Sequence, residues 1–497
     1  MLTREVLDRL SNEVLSALEI REARLLNWGF INGAQTLDNL DQELPELLRP
    51  MCANSSELAA LWQQAQAEGI GAAAILENLR ERKLVFKPGA RYRTRFAETI
   101  RSLFLLRQRF SADDWRTGER LVGDMKILLQ RRRYPRRDVS PAELWRDLTS
   151  LDPASLRGRA IHALLQEDGQ PLSLARFQAQ AVSRILRNLG SPEDSAVVIG
   201  AGTGAGKTKA FYIPALAYIA DRLSSERSVQ ALAIYPRKEL LKDQLRETYA
   251  EARKLDCLLR DAGRRPVVLG AYYGDVPTDA DDILQFRRDA WRRTRDRLGW
   301  LCPYVSCPAC HAQSMIWLND DLEQEAQDNR RGIFGSHARL VCHECGEQIG
   351  SDRLLLTRRQ MLQTPPDVLF TTTEMLNRRL SNGPEHVLFG IDCPAPPRLV
   401  LMDEIHLNEG IHGAQVAYLL RRWQHARRRE PGRSLCIVGL SATVTQAESF
   451  FARLTGIPAQ RVTYITPAEA DLVKEGIEYL VLTDSVVKPP DNRAHRW

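Results

Sequence analysis

The stretch Val197–Phe211, VVIGAGTGAGKTKAF, constrains the fold of this chain more than any other. The unbroken aliphatic run Ala196–Gly200 reads as a strand buried on both faces. It leads into a loop with glycines at 202, 204 and 206, and a helix-compatible run follows from Lys209. Glycines in such a loop let backbone N–H groups converge on phosphate oxygens where the helix begins. Lys207 then reaches the outer phosphates, and the Thr208 hydroxyl ligates Mg²⁺. The expectation is a strand–loop–helix unit in which Gly202, Thr203, Gly204, Ala205, Gly206, Lys207 and Thr208 hold ATP. The strict spacing G-x-x-x-x-G-K-[ST] is not met, because Ala201 takes its first position.

A strand buried on both faces needs neighbours of the same kind. AVVIG (196–200), ALAIYP (231–236), PVVLGAYYG (266–274), DVLFTTT (367–373), RLVLMDE (398–404) and SLCIVGLSAT (434–443) are such runs, with helical segments between them. They predict an α/β fold, a parallel sheet with helices on both faces. Ligands of these sheets bind at the carboxyl ends of the strands. RLVLMDEIH puts two acids there: Asp403 to bind Mg²⁺ through its water shell, and Glu404 to orient or deprotonate the attacking water. Acidic pairs after strands are also common helix caps, so it is the lysine loop that gives this pair its catalytic reading.

The rest of the chain reads differently. Up to about Arg159 the apolar residues recur at helical spacing, as in VLDRLSNEVLSALEIREARLL. The expected organisation is a helical accessory domain (1–165), the first part of the sheet lobe (166–290), an insert (291–354), and the second part of the lobe with the start of a following region (355–497). The insert carries CPAC and CHECG, which pair Cys307 with Cys310 and Cys342 with Cys345. Two C-x-x-C turns offer four thiolates to one tetrahedral ion, so a zinc-ribbon-like Zn²⁺ site is expected, with an iron–sulfur cluster as the alternative. Cys302 is either a substitute ligand or a bystander; His311 and His343 read as surface residues.

Nine cysteines in 497 residues do not make a disulfide framework, and the paired spacing points to a reducing compartment. No run approaches the ~20 apolar residues of a membrane span, and MLTREVLDRL lacks a signal-peptide core. A soluble, cytoplasmic protein is expected. The net charge is +6, and positive charge gathers in RRRYPRRD from Arg131, FRRDAWRRTRDR from Phe286 and RRWQHARRR from Arg421. Each run is either a solvated face or part of a polyanion site.

Taken in order, these residues carry a family resemblance. AGTGAGKT resembles motif I of superfamily 2 DEAD/DEAH-box-like helicases, DEIH their motif II, and SAT at 441–443 their motif III. RFQAQAV is similar to the motif that reads adenine, with Gln178 the better match and Gln180 the alternative; YPRKELLKDQ and TTTEML resemble motifs Ia and Ib. The resemblance covers about 172–285 and 355–460. It implies a RecA-like lobe in which His406, Ser441 and Thr443 couple the nucleotide state to movement. It also implies that Pro236, Arg237, Thr372 and Thr373 touch a nucleic-acid backbone, although loop capping is an ordinary use for Arg237 and the threonines.

A helicase of this kind needs a second RecA-like lobe, and the stretch after Thr443 shows no Q-x-x-G-R-x-x-R pattern. The expected partners are therefore nucleic acid, with DNA favoured, and a second lobe from the rest of a longer polypeptide or from another subunit; no membrane is expected. The accessory region, the cysteine insert and DEIHLNEGIHGAQVAYLLRRW look similar to large bacterial phage-defence helicases. The functional expectation is the first motor lobe of an ATP-dependent helicase or translocase. The alternative is a nucleic-acid-binding assembly module in which ATP binding is only a switch.

Overall fold

The computed structural model describes residues 4–27, 33–53, 55–105, 125–149, 151–167, 169–202, 204–286, 290–381, 384–427, 434–442 and 444–483. Thr203 and Thr443, both singled out above, lie outside the described residues. The chain divides into two compact units, Met1–Arg133 with Lys474–Trp497, and Tyr134–Val473.

The first unit is mostly helical. Helices Arg4–Asn27, Leu37–Ala53, Ser56–Ala67 and Ala72–Glu81 bury Leu10, Val14, Leu44, Leu48, Ile75 and Leu79 against one another. Short strands also occur that the helical periodicity did not announce: Gln35–Thr36, Arg91–Thr94 and Val85–Phe86 form a small antiparallel sheet. The strand Leu472–Thr483 pairs with Met125–Pro135, and Tyr479 stacks on Phe96 at 4.4 Å between ring centroids. Residues 474–483 thus group with the N-terminal unit, within the span 355–497 expected to hold the second part of the sheet lobe and the start of a following region. Their partner strand lies far away in the chain, so no local signal announces the pairing.

The second unit is built on one eight-stranded sheet. Its strands are β1 (Ser195–Gly200), β2 (Ala231–Tyr235), β3 (Leu269–Tyr272), β4 (Leu354–Leu355), β5 (Val368–Thr372), β6 (Leu399–Met402), β7 (Cys436–Ser441) and β8 (Val462–Ile465). They lie in the order β4-β3-β5-β2-β6-β7-β1-β8, and every pair is parallel. This is a RecA-like sheet. All six aliphatic runs are in it, and β1, β2 and β7 are buried along their whole length. Helices α1 (Leu156–Leu164), α2 (Arg176–Gly190), α3 (Lys207–Arg222), α4 (Lys238–Arg253), α5 (Thr373–Ser381), α6 (Gly410–Arg427) and α7 (Ala447–Thr455) accompany it. α1 packs against α3, and its Ile161 and Leu164 are in the same core as Ile213. The compact unit therefore starts near residue 134, some thirty residues before the boundary expected from periodicity.

Between β3 and β4 the chain leaves the sheet to form the insert. Strands Arg292–Arg293, Gly299–Leu301, Met315–Leu318, Leu340–Cys342 and Gln348–Ile349 make a five-stranded antiparallel meander, with a helix over Asn319–Arg330. The insert is not a loose appendage. Trp291 meets Tyr304 edge-on at 5.7 Å and Trp317 at 6.0 Å, and Tyr304 meets Tyr273 just after β3 at 6.3 Å. All four rings are fully buried in the core shared with the sheet, and aromatic pairs of this geometry are worth roughly 0.5–1.5 kcal/mol each beyond their buried area.

Candidate nucleotide site and cysteine cluster

The strand order explains why distant motifs meet. β6, β7 and β1 are adjacent and parallel, so Asp403 after β6, Ser441 ending β7 and the loop after β1 emerge at one edge of the sheet. The Ala201 N–H donates to the Ser441 carbonyl at 3.1 Å, which stitches the loop to the neighbouring strand.

The loop itself depends on glycine. Gly204 and Gly206 have φ of 80° and 77°, and a Cβ on Gly206 would stand 2.6 Å from Gln178 Nε2. Lys207 is the first residue of α3, and its Nζ donates to the Ala201 carbonyl at 2.9 Å, so the ammonium is folded back over the loop. Thr208 is half-buried beside it. Gln178 is 2 % exposed; its Oε1 accepts from the Ala175 N–H at 2.7 Å, and its Nε2 donates to the Gly206 carbonyl at 2.8 Å. It therefore caps α2 and braces the phosphate loop, whereas Gln180 is exposed.

The acids lie opposite. Burial pushes the Asp403 carboxyl up to about 6, an effect that the Glu404 charge adds to and the Glu404 N–H and Lys207 oppose. Burial likewise lowers the Lys207 ammonium, countered by Glu404 and Asp403. A half-buried ammonium beside a carboxylate whose charge burial disfavours is an arrangement that anionic phosphate and a divalent cation would complete. Glu404 is held at φ 48°, ψ 47°, a left-handed conformation that costs a residue with a Cβ about 1–2 kcal/mol. Such strain clusters at functional sites. Its Oε2 has no hydrogen-bond partner and lies 3.3 Å from His406 Nδ1, which is 3.2 Å from Ser441 Oγ. These contacts join the acidic pair, the histidine and the end of β7.

Pro236 and Arg237 are exposed between β2 and α4, and Thr372 and Thr373 are half-exposed where β5 meets α5. Thr372 Oγ1 accepts from the Met375 N–H at 3.3 Å, so it does act as a cap. Sequence reasoning missed Arg137. Its Nη2 lies 3.6 Å from where a Cβ on Gly206 would be, which puts a guanidinium at the edge of the phosphate loop. The only signal was the basic run RRRYPRRD, which does not say what it faces.

Cys307, Cys310, Cys342 and Cys345 converge, with all four sulfurs within 4.8 Å of one another. Cys307 and Cys345 Sγ are 3.4 Å apart, and Cys310 and Cys342 Sγ 3.6 Å. Zinc–thiolate bonds of about 2.3 Å at the tetrahedral angle put the sulfurs about 3.8 Å apart, so the cluster fits one zinc ion. The N–H groups of Ala309 and Cys310 point at Cys307 Sγ at 3.4 and 3.5 Å, the hydrogen bonding that thiolate ligands receive around a metal. Cys302 is outside the cluster, and burial pushes its thiol up to about 12. His343 is occupied elsewhere, with Nε2 2.6 Å from Asp296 Oδ2.

A family model for the DEAD/DEAH box helicase matches residues 175–264, the span from α2 and the phosphate loop through α4. The chain carries a DEAD/DEAH-box-like helicase lobe. Its fold is that of a P-loop NTPase, consistent with ATP hydrolysis. Among curated proteins it is 28% identical over 316 residues to the Druantia protein DruE of Escherichia coli (strain UMEA 4076-1), covering 57% of this chain and 17% of that protein. It is 27% identical over 184 residues to the Lhr helicase/uracil glycosylase of Escherichia coli (strain K12), covering 36% of this chain and 10% of that protein. The chain thus spans under a fifth of the length of either relative. Among solved structures it is similar to the DUF1998 helicase MrfA bound to DNA, with a TM-score of 0.40 at 16% identity, over 72% of this chain and 32% of that one. No helix among the described residues is long and apolar enough to cross a membrane.

Proposed function

We propose that this helicase lobe is the first motor lobe of a longer ATP-dependent helicase or translocase that acts on DNA in defence against phage. The observation that carries the reading is the meeting of Lys207, Asp403, Glu404, His406 and Ser441 at one edge of the sheet. The preference for DNA and the defence setting rest on the resemblance of the accessory region, the cysteine insert and DEIHLNEGIHGAQVAYLLRRW to large phage-defence helicases.

In this reading the loop N–H groups of Gly202–Thr208 and the Lys207 ammonium hold the β and γ phosphates. The Thr208 hydroxyl and Asp403 hold Mg²⁺, which when bound neutralises charge on the phosphate oxygens. Glu404 orients the attacking water and takes its proton. His406, between Glu404 and Ser441, passes the state of the site to the end of β7. Gln178 holds the loop in shape beside the base. Pro236, Arg237, Thr372 and Thr373 grip the backbone of one strand, and a second lobe completes the ATP site. The four cysteines hold Zn²⁺.

The test is ATP turnover by the full-length protein with and without single-stranded DNA. Turnover should rise with DNA and disappear in Lys207→Ala. DNA-stimulated turnover that survives this change would sink the assignment. Nucleotide binding that changes DNA affinity without any turnover would replace the motor with a switch.

A further inference from the structure

The resemblance accounts for the sheet lobe but gives the insert no task, and the insert forms one wall of a groove. The groove is open, about 860 Å³, and lies between α4 and the insert. On the α4 side it is lined by Lys238, Lys242 and Arg246, four residues apart and so on one helix face. Arg292, Val305 and Gln313 line the insert side. Lys238 follows directly on Pro236 and Arg237, so the basic face of α4 continues the segment proposed to hold the nucleic-acid backbone.

The acids along this groove do not cancel the cations. Lys238 and Lys242 share one carboxylate, Asp275, at 3.4 and 3.7 Å. Arg246 has Asp243 at 3.5 Å, and its buried Nε has no hydrogen-bond partner. Glu239 adds one more acid. Arg292 is exposed and makes no ion pair among the described residues. It belongs to the basic run from Phe286, which the nucleotide site does not use. The opposite wall is fixed, since Trp291, next to Arg292, is buried in the aromatic cluster that ties the insert to β3.

We infer that this groove is a second stretch of the nucleic-acid path: single-stranded DNA leaving Arg237 runs along α4 with its phosphates between Lys242, Arg246 and Arg292. On this reading the cysteine cluster keeps one wall of the DNA groove in shape. The inference rests on the proposed nucleic-acid motor and adds to it a contact surface outside the helicase motifs.

The test is the salt dependence of single-stranded DNA binding by the full-length protein, read by fluorescence anisotropy of a labelled oligonucleotide. Each phosphate contact to a single strand adds about 0.7 to the slope of log K against log salt, which is about four-fold in affinity at 0.15 M salt. Lys242→Glu, Arg246→Glu and Arg292→Glu together should lower the slope by about 2 and the affinity by at least about fifty-fold. The charge-keeping set Lys242→Arg and Arg292→Lys should stay near wild type. Arg292→Glu alone, at an exposed position, should lower the slope by about 0.7 and still gives a readout if the triple change unfolds the lobe. A wild-type slope in the folded single and triple variants would overturn the inference and leave the motor reading standing. A wild-type protein that binds no DNA would overturn both.

Discussion

Replacing Glu404 by glutamine removes one charge and almost no volume at the point where the proposed chemistry occurs. The residue is held at φ 48°, ψ 47°. Glutamine bears the same conformational cost of about 1–2 kcal/mol, so the fold should tolerate the change. What goes is the ability to take a proton. A positioned general base contributes roughly 10²–10⁴-fold, or about 3–5 kcal/mol of barrier. Steady-state ATP turnover by the full-length protein with saturating single-stranded DNA should therefore fall by about that factor. KM for ATP should move by less than about threefold, because Lys207 and Asp403 are untouched. His406 sharpens the test, since its Nδ1 is 3.3 Å from the Glu404 carboxylate and 3.2 Å from Ser441 Oγ. If the histidine acts by holding the glutamate, His406→Ala lowers turnover on its own but adds little to Glu404→Gln. Turnover of Glu404→Gln within about threefold of wild type would refute the water-orienting role, and strict additivity with His406→Ala would refute the coupling.

Three further outcomes follow from other parts of the structure. Cys345→Ser should reduce zinc, measured by metal analysis of the purified protein, from one equivalent to well below one, because a four-thiolate set then lacks a ligand; full retention would show that the four sulfurs do not share an ion. Asp367→Ala should cost about 3–5 kcal/mol in denaturant unfolding of the second unit, because the fully buried carboxylate accepts from both Arg265 Nη atoms at 2.6 and 2.8 Å and from the Val268 N–H at 2.9 Å; a loss under 1 kcal/mol would mean that Arg265 reaches water when unpaired. In the first unit, burial raises the carboxyls of Glu19 and Glu22 from the ordinary 4.5 to about 7, against hydrogen bonds from Tyr479 and Thr94. The folded unit then holds protons that the unfolded chain releases, so stability is greatest below about pH 4.5 with respect to these groups and declines as pH rises through about 7, by up to about 3 kcal/mol for each. Hydrogen exchange of this unit should quicken between pH 5 and pH 8 beyond the intrinsic rate, Glu22→Gln should flatten the trend, and exchange protection that rises with pH would reverse the sign.

What the sequence disclosed follows burial. The six central strands were legible because a strand covered on both faces must be apolar at every position, and such runs stand out against amphipathic helices. The edge strands were not: Leu354–Leu355 is two residues long, and Val462–Ile465 is half-buried at its two central positions. The two-residue strands of the insert and of the N-terminal unit are too short to show an alternation, so periodicity has nothing to report there. At the candidate site, residue types and spacing marked Lys207, Thr208, Asp403 and Glu404. The sheet order that brings them to one edge, and the presence of Arg137 beside the loop, are properties of packing alone.

Ala201 shows where a pattern and its physical cause part. The strict loop pattern asks for glycine at 201, yet among the described residues Ala201 is not one of those with positive φ, and it is buried with its N–H on Ser441. A methyl group there meets no conformational cost. Gly204 and Gly206 differ, since both need φ near 80°, which an alanine adopts only at about 1–2 kcal/mol. Gly206 also has the Gln178 amide against it. The loop therefore needs glycine at 204 and 206 for its backbone shape and at 201 only by convention. Ala201→Gly should leave nucleotide affinity within about twofold, whereas Gly206→Ala should lower it by about five- to thirty-fold, because about 1–2 kcal/mol of strain falls on the N–H groups that would hold the phosphates in the proposed site. Equal effects of the two changes would show that the loop is shaped by something other than these backbone angles.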